Sequence, residues 1–431
     1  TTEIYTLSLH DALPISPAPS PSTTMTRENY DLVLTGGRVI DPSQSLDGPY
    51  DIAIRAGKIA AIAAELPPHT AKITQSVAGQ LVCPGLIDLH VHVYEWVTDF
   101  GLWADDVGVN AGVTTIVDQG SCGPLTFLGF QANIVRSAQT DVRCFPSVNL
   151  AGALKGGMGT PALHSPEMVD LAALAALARE YPEVVRGFKV HGESGALSRW
   201  GTQVLELARQ AADAAQLPLY VHTGELFAVV EENRPHPDQV IDYVLPHLKP
   251  GDLLAHCYSC RPDGLMGDRP TPSPALTQAI AEGVRLDLGH GINFSFAIAR
   301  RLIALGLFPY TISSDVHGDF TQPHNDATLD YSLCGALSKL MALGMDLTAA
   351  IAAVTLHPAR VLQAETEIGT LQTGSRADIT VLATSAAPWR CRDAQGEQLI
   401  APQQLSPTWV VKSGQLLQPH RRLLRDLVTA S

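Results

Sequence analysis

The chain has 431 residues, and its 29 Lys plus Arg against 43 Asp plus Glu give a formal net charge of −14, which argues against a nucleic-acid partner or a polybasic membrane anchor. With 45% hydrophobic and 17% charged residues it can bury a sizeable core, and its length suggests about three domains or one large barrel with additions. No apolar run reaches the ~18 residues of a membrane-spanning helix, and seven scattered cysteines, an odd number, fit a reducing, cytoplasmic setting better than a disulfide framework.

Residues 1–24 lack a starting Met and run into Pro17-Ala18-Pro19-Ser20-Pro21-Ser22, a composition that does not pack. They read as a disordered or artefactual tail, with Met25 as the natural start. No cationic stretch precedes the short apolar one, so a signal peptide is not expected. From Tyr30 to Cys83 short strands alternate with turn signals, as in Leu32-Val33-Leu34-Thr35 before Gly36-Gly37 and Asp51-Ile52-Ala53-Ile54 before Ala56-Gly57. The chain end repeats the pattern at 377–382 and 408–412. Neither piece is large enough to stand well alone, so 25–83 and 362–431 are expected to pair into one discontinuous β-sandwich around a central domain, 84–361.

In that centre, apolar strand-like runs alternate with Ala/Leu-rich helical stretches, the mark of βαβ units. Eight runs stand out, at 86–94, 114–121, 142–151, 185–192, 218–225, 252–259, 284–291 and 310–318. The clearest helix, 199–216, carries Val204, Leu205, Ala208, Ala211, Ala212 and Ala215 at helical spacing. Eight runs suggest a closed (β/α)8 TIM barrel, and an open doubly wound sheet is less favoured because no Gly-rich phosphate loop follows any run.

Groups able to hold a cation sit near the ends of these runs, where such a barrel places its active site. His90 and His92 are two apart on one strand and therefore face the same way. Lys189, His222, His256 and Asp315 follow one per run. The intervals are 33 residues from Lys189 to His222, 34 from His222 to His256 and 59 from His256 to Asp315, close to one, one and two βα repeats. That register makes six unrelated core residues a poor explanation.

On these residues, on Cys83-Pro84-Gly85-Leu86-Ile87-Asp88-Leu89-His90-Val91-His92, on His357-Pro358-Ala359-Arg360 and on Leu371-Gln372-Thr373-Gly374-Ser375-Arg376-Ala377-Asp378-Ile379, the sequence resembles the amidohydrolase superfamily from Tyr30 to the C-terminus. The resemblance implies a (β/α)8 barrel joined to a small β-sandwich made from both chain ends. It also implies a binuclear centre: His90 and His92 on one ion, Lys189 as a bridging N6-carboxylysine, His222 and His256 on the second ion, and Asp315 as metal ligand and catalytic proton carrier. A lysine needs that modification because an ammonium has no acceptor, and a carbamate derived from CO2 supplies one. The family mechanism has a hydroxide bridging the two divalent ions attack a polarised carbonyl. Histidine plus carboxylate suits zinc.

Gly289-His290-Gly291 followed by Asn293-Phe294-Ser295-Phe296, with His256-Cys257, resembles the deacetylase-type branch related to dihydroorotases and D-aminoacylases. This branch hydrolyses acetyl amides or acetyl esters of small carboxylic or amino acids. Tyr94 stands where dihydroorotases carry a carboxylate-binding Arg. The alternatives are a cyclic-amide hydrolase of the dihydropyrimidinase, hydantoinase or dihydroorotase kind, and a non-catalytic scaffold relative, disfavoured because all six ligand positions are filled. His290, Asn293, Ser295 and Arg261 are candidate substrate contacts; His317 and His324 are placed at the mouth; Tyr94, Glu95 and Trp96 are placed near the pocket. Cys257 and Cys260 form an isolated pair without a partner pair. A small-molecule substrate is the expected partner, and a homo-oligomer stays open.

Overall fold

The computed structural model describes residues 30–66, 71–318 and 330–420. The proposed tail 1–24 lies outside them, as does His324. Five strands open the chain: β1 (Tyr30–Asp41), β2 (Leu46–Arg55), β3 (Lys58–Ala63), β4 (Ala71–Ser76) and β5 (Leu81–Pro84). The barrel strands follow as β6 (Leu86–Val91), β7 (Val113–Gln119), β8 (Asp141–Phe145), β9 (Phe188–His191), β10 (Leu219–His222), β11 (Leu253–Leu254) and β12 (Arg285–Leu286). The chain closes with β13 (Ile379–Thr384), β14 (Trp389–Arg392), β15 (Gln398–Ala401), β16 (Leu405–Lys412) and β17 (Gln415–Leu417).

Strands from both ends form one sheet in the order β17-β16-β13-β5-β1-β2-β3. β1 changes partner along its length. Before a register shift at Leu34/Gly37 it pairs with β4, and beyond it with β5, so the sheet folds over a core that includes Leu34, Ile52, Val82, Ile379, Val381 and Val411. Not all of the C-terminal part joins it. β14 and β15 form a separate hairpin whose Cys391 and Ala401 pack in the barrel core, and Leu362, Ala364 and Ile368 pack with Ile87, Leu89 and Tyr220 in the floor of the barrel. The Ser375-Arg376-Ala377-Asp378 turn ties sheet to barrel, because Arg376 bonds Asp378 at 2.8 Å and Asp141, at the start of β8, at 2.6 Å.

The barrel closes through parallel pairings. β6-β7-β8 and β9-β10-β11-β12 are ladders, joined by the bridges Cys144 with Val185 and Ser147 with Lys189. The eighth run enters only through Thr311 beside Asp287 and Val316 beside Val91. The late strands are shorter than the apolar runs because the backbone leaves the ladder where the site begins: His256 (φ 60°) and Asp315 (φ 49°) are left-handed, a conformation that strains residues other than glycine. The helix expected at 199–216 is two helices, Ser194–Trp200 and Gln203–Ala215, broken at Gly201. The second buries Val204, Leu205, Ala208, Ala211 and Ala212 as its spacing predicts. No helix among the described residues is long and apolar enough to cross a membrane.

Candidate active site

The C-terminal ends of the barrel strands surround a pocket of about 260 Å³ lined by His90, His92, Lys189, His222, His256 and Asp315. The first and eighth strands are clamped there. Asp315 N–H donates to the His90 carbonyl (2.7 Å), His92 N–H to Val316 (3.2 Å), and Asp88 Oδ1 accepts from Ser314 N–H (2.9 Å). Asp315 Oδ1 is thereby held 3.1 Å from His90 Nε2 and 3.4 Å from His92 Nε2.

The ring nitrogens can be assigned from their partners. Tyr220 donates its hydroxyl to Asp287 Oδ2, so its oxygen accepts from His90 Nδ1–H at 2.9 Å and leaves a bare lone pair on His90 Nε2. His256 donates Nδ1–H to the Gly289 carbonyl at 2.8 Å, which leaves its Nε2 bare. His222 donates Nε2–H to the Gly224 carbonyl at 3.0 Å, which leaves its Nδ1 bare. Those two bare nitrogens face each other at 2.9 Å. Burial pushes His90 and His222 well below the usual histidine range and His256 down to about 4, so no ring proton relieves the contact at neutral pH. Burial acts to raise Asp315, and it is positive charge on the facing side, at His90, His92 and His256, that pulls the carboxyl well below its ordinary range; with those rings neutral, a cation is what can supply it.

An ionised carboxylate and several converging lone pairs repel one another and are satisfied by cations. The ligand atoms of His90, His256 and Asp315 lie within 4.8 Å of one another. The donor set therefore fits divalent ions. Hydrogen bonds on the outer ring nitrogens, to Tyr220 and the Gly289 carbonyl, fix tautomer and orientation as metal-ligating imidazoles require. Lys189 Nζ lies 4.5 Å over the Tyr220 ring, and burial pushes its amine down to about 8.

The Gly289-His290-Gly291 signature has a steric basis. A Cβ on Gly289 would stand 2.7 Å from His256 Nδ1, and one on Gly291 would stand 2.3 Å from Asp315 Oδ2. Only glycine lets this segment back two site residues so closely. His290 does not reach the pocket: it is fully buried, stacked on Phe294 with centroids 4.4 Å apart, and its Nε2 lies 3.2 Å from Lys339 Nζ. Ser295 also points elsewhere, accepting from Ile298 N–H as a helix cap and donating to Gln395. Both expectations of substrate contact are corrected by this placement. Arg261 and Asn293 do line the pocket, joined by Arg261 Nε–H to Asn293 Oδ1 at 2.7 Å.

His317 lines the pocket as well. Tyr94, Glu95 and Trp96 do not; Tyr94 donates to the Thr126 carbonyl and Trp96 points to solvent. Cys257 is buried and Cys260 partly so, and all seven cysteines are free.

Three features went unread in the sequence. Asp287 accepts from the hydroxyls of Tyr220, Thr311 and Ser313 beneath the cluster. Asp99 lines the pocket and accepts from Gly156 N–H. His191, two residues beyond Lys189, lines it too, and its alternation with Lys189 is the same signal that picked out His90 and His92.

A model of the Amidohydrolase family matches residues 293–416. The chain is 30% identical over 372 residues to a deacetylase of Agrobacterium fabrum, covering 86% of each protein. It is 30% identical over 397 residues to a deacetylase of Enterococcus faecalis, covering 90% of this chain and 99% of that one. A solved structure described as a dihydroorotase matches with a TM-score of 0.76 at 28% identity, covering 90% of this chain and 99% of the other. The chain belongs to the amidohydrolase family, whose members are generally metal-dependent.

Proposed function

We propose that this protein is a binuclear metal-dependent deacetylase, hydrolysing an acetyl amide or acetyl ester of a small carboxylic or amino acid. His90, His92 and Asp315 would hold one ion and His222 and His256 the other, with carboxylated Lys189 as a further ligand; zinc suits the ligands. The observation that carries the reading is the 2.9 Å approach of the bare His222 and His256 nitrogens beside an ionised Asp315, an arrangement that favours bound cations. When bound, such ions polarise a carbonyl and make water a nucleophile at neutral pH. Asp315 takes the proton of the attacking water and delivers it to the departing amine or alcohol. Arg261, with Nε engaged by Asn293, presents its remaining guanidinium N–H groups to a substrate carboxylate.

The end-to-end similarity to two deacetylases supports the acetyl reading. The dihydroorotase alternative retains the support of a shared fold, but Tyr94, in the position of the carboxylate-binding Arg, is turned out of the pocket. Seven free cysteines support the cytoplasm as the compartment. The test joins metal analysis of purified protein to a substrate panel. We expect about two ions per chain and turnover of N-acetyl amino acids or O-acetyl hydroxy acids. Turnover of dihydroorotate, hydantoin or dihydrouracil with no acetylated acid cleaved would overturn the deacetylase reading, and metal well below one ion per chain would favour a scaffold.

A further inference from the structure

His191 differs from the metal-facing histidines beside it. His90, His92, His222 and His256 each engage one ring nitrogen with a neighbour: Tyr220, Ser121, the Gly224 carbonyl and the Gly289 carbonyl. The His191 ring has no hydrogen-bond partner among the described residues, and its Nδ1 is sealed from solvent. Nε2 is left as the nitrogen open to the pocket that the ring lines.

Its position follows from the sheet. β9 and β10 pair with His191 opposite His222, and the two rings lie 5.1 Å apart. Phe227 packs on His191 at 4.7 Å and His164 at 5.8 Å, so the ring is oriented by packing alone. Behind it, bounded by Asn149 and His164, is a void of only about 10 Å³. A buried N–H without an acceptor is a costlier orphan than a bare lone pair. The ring's available donor is therefore its Nε2–H, on the side of the pocket that the ring lines. A rigid, unspent donor next to the groups that activate water is what a developing oxyanion requires.

We propose that His191 is a catalytic residue that donates its Nε2–H to the acyl oxygen of the bound acetyl group as that carbon becomes tetrahedral. The inference rests on the deacetylase reading. The water oxygen bonds to the acyl carbon, and the carbonyl electron pair moves onto its oxygen, where the His191 N–H holds it. On collapse the C–N or C–O bond breaks, and the water proton leaves through Asp315 with the amine or alcohol. His191 keeps its own proton throughout.

The experiment compares His191→Leu, which has no donor, with His191→Gln, which keeps one. It reads kcat, KM, metal content, and inhibition by two probes: the free acid product and a methylphosphonate analogue of the acetyl substrate. For His191→Leu, kcat should fall about 10²–10³-fold with KM within about threefold, phosphonate inhibition should weaken by a similar factor, and product inhibition should hold. His191→Gln should recover at least about tenfold of the loss. Metal content should match that of the unmutated enzyme in both variants. Unchanged kcat, equal weakening of product and phosphonate, or loss of metal would each overturn the proposal, the last by making His191 a ligand. Should His191→Leu not fold, nitrogen-15 NMR of the unmutated holoenzyme decides: the His191 Nε2 proton must shift downfield on adding the phosphonate, and a stationary signal refutes the role. If the unmutated enzyme cleaves no acetylated acid, it is the deacetylase reading that fails; if it does and His191→Leu equals it, only this inference fails.

Discussion

The two ends of the barrel carry cavities of opposite character. At the N-terminal end, Pro218, Asp252, Arg285 and Tyr310 help to enclose about 580 Å³, more than twice the 260 Å³ at the C-terminal end. Size would select the wrong one. In the larger cavity charges answer charges: Arg209 reaches Asp252 at 2.6 Å and Asp213 at 2.9 Å, and Lys249 reaches Asp213 at 2.7 Å. Asp252 also accepts from Leu219 N–H and Lys249 N–H. In the smaller one, lone pairs face lone pairs, and one lysine and one histidine lack hydrogen-bond partners among the described residues. A surface whose charges are largely paired, with Arg209 Nε the exception among those described, reads as structure, and one where lone pairs converge reads as a site awaiting something else.

Four experiments probe that contrast, beginning with the largest expected effect. Asp315→Asn should lower kcat about 10²–10⁴-fold, read by steady-state kinetics on the metal-loaded protein. Tyr220→Phe removes the hydroxyl between His90 and Asp287 and should cost about 10–100-fold in metal affinity or activity, read by competition with a chelator. Lys189 supplies a pH test on decarboxylated, metal-free protein. With its amine lowered to about 8, the reactive neutral fraction grows as pH rises through that value. The carbamylation rate at fixed dissolved CO2 should then increase about fivefold from pH 7 to 8 and level off above 9. A flat profile would show an amine already neutral. Last, Arg209→Met at the opposite end should leave kcat/KM within about twofold while lowering unfolding free energy by about 3 kcal/mol, because it strips the partner from buried Asp252. A large loss of activity there would break the assignment of roles to the two ends.

Much of the site was legible because strand register is periodic. Residues two apart share a face and βα repeats recur at steady intervals, so His90, His92, Lys189, His222, His256 and Asp315 could be chosen without coordinates. The family match also pointed to a sheet built from both chain ends. What stayed hidden depended on direction within loops and on contacts between distant strands. His290 and Ser295 lie in the expected segment, yet one is stacked on Phe294 and the other caps a helix. The link from His90 through Tyr220 to Asp287 joins β6, β10 and the residue just after β12, and no spacing rule connects them. The left-handed backbone at His256 and Asp315 also left no mark in residue type, since neither is glycine.

The seam between the chain ends has a consequence in time. β5 lies between β1 and β13, with Cys83 opposite Thr380, so one edge of β5 lacks its partner until 297 further residues have been made. At ribosomal rates of about 5–20 residues per second that is roughly 15–60 s. An open strand edge is a template for unwanted pairing, and throughout that interval the whole barrel is being synthesised between the two halves of the sheet. Completion of the sheet is therefore a late event in the birth of this protein, and the nascent chain is most exposed to misassembly at the strand just before the one that carries His90.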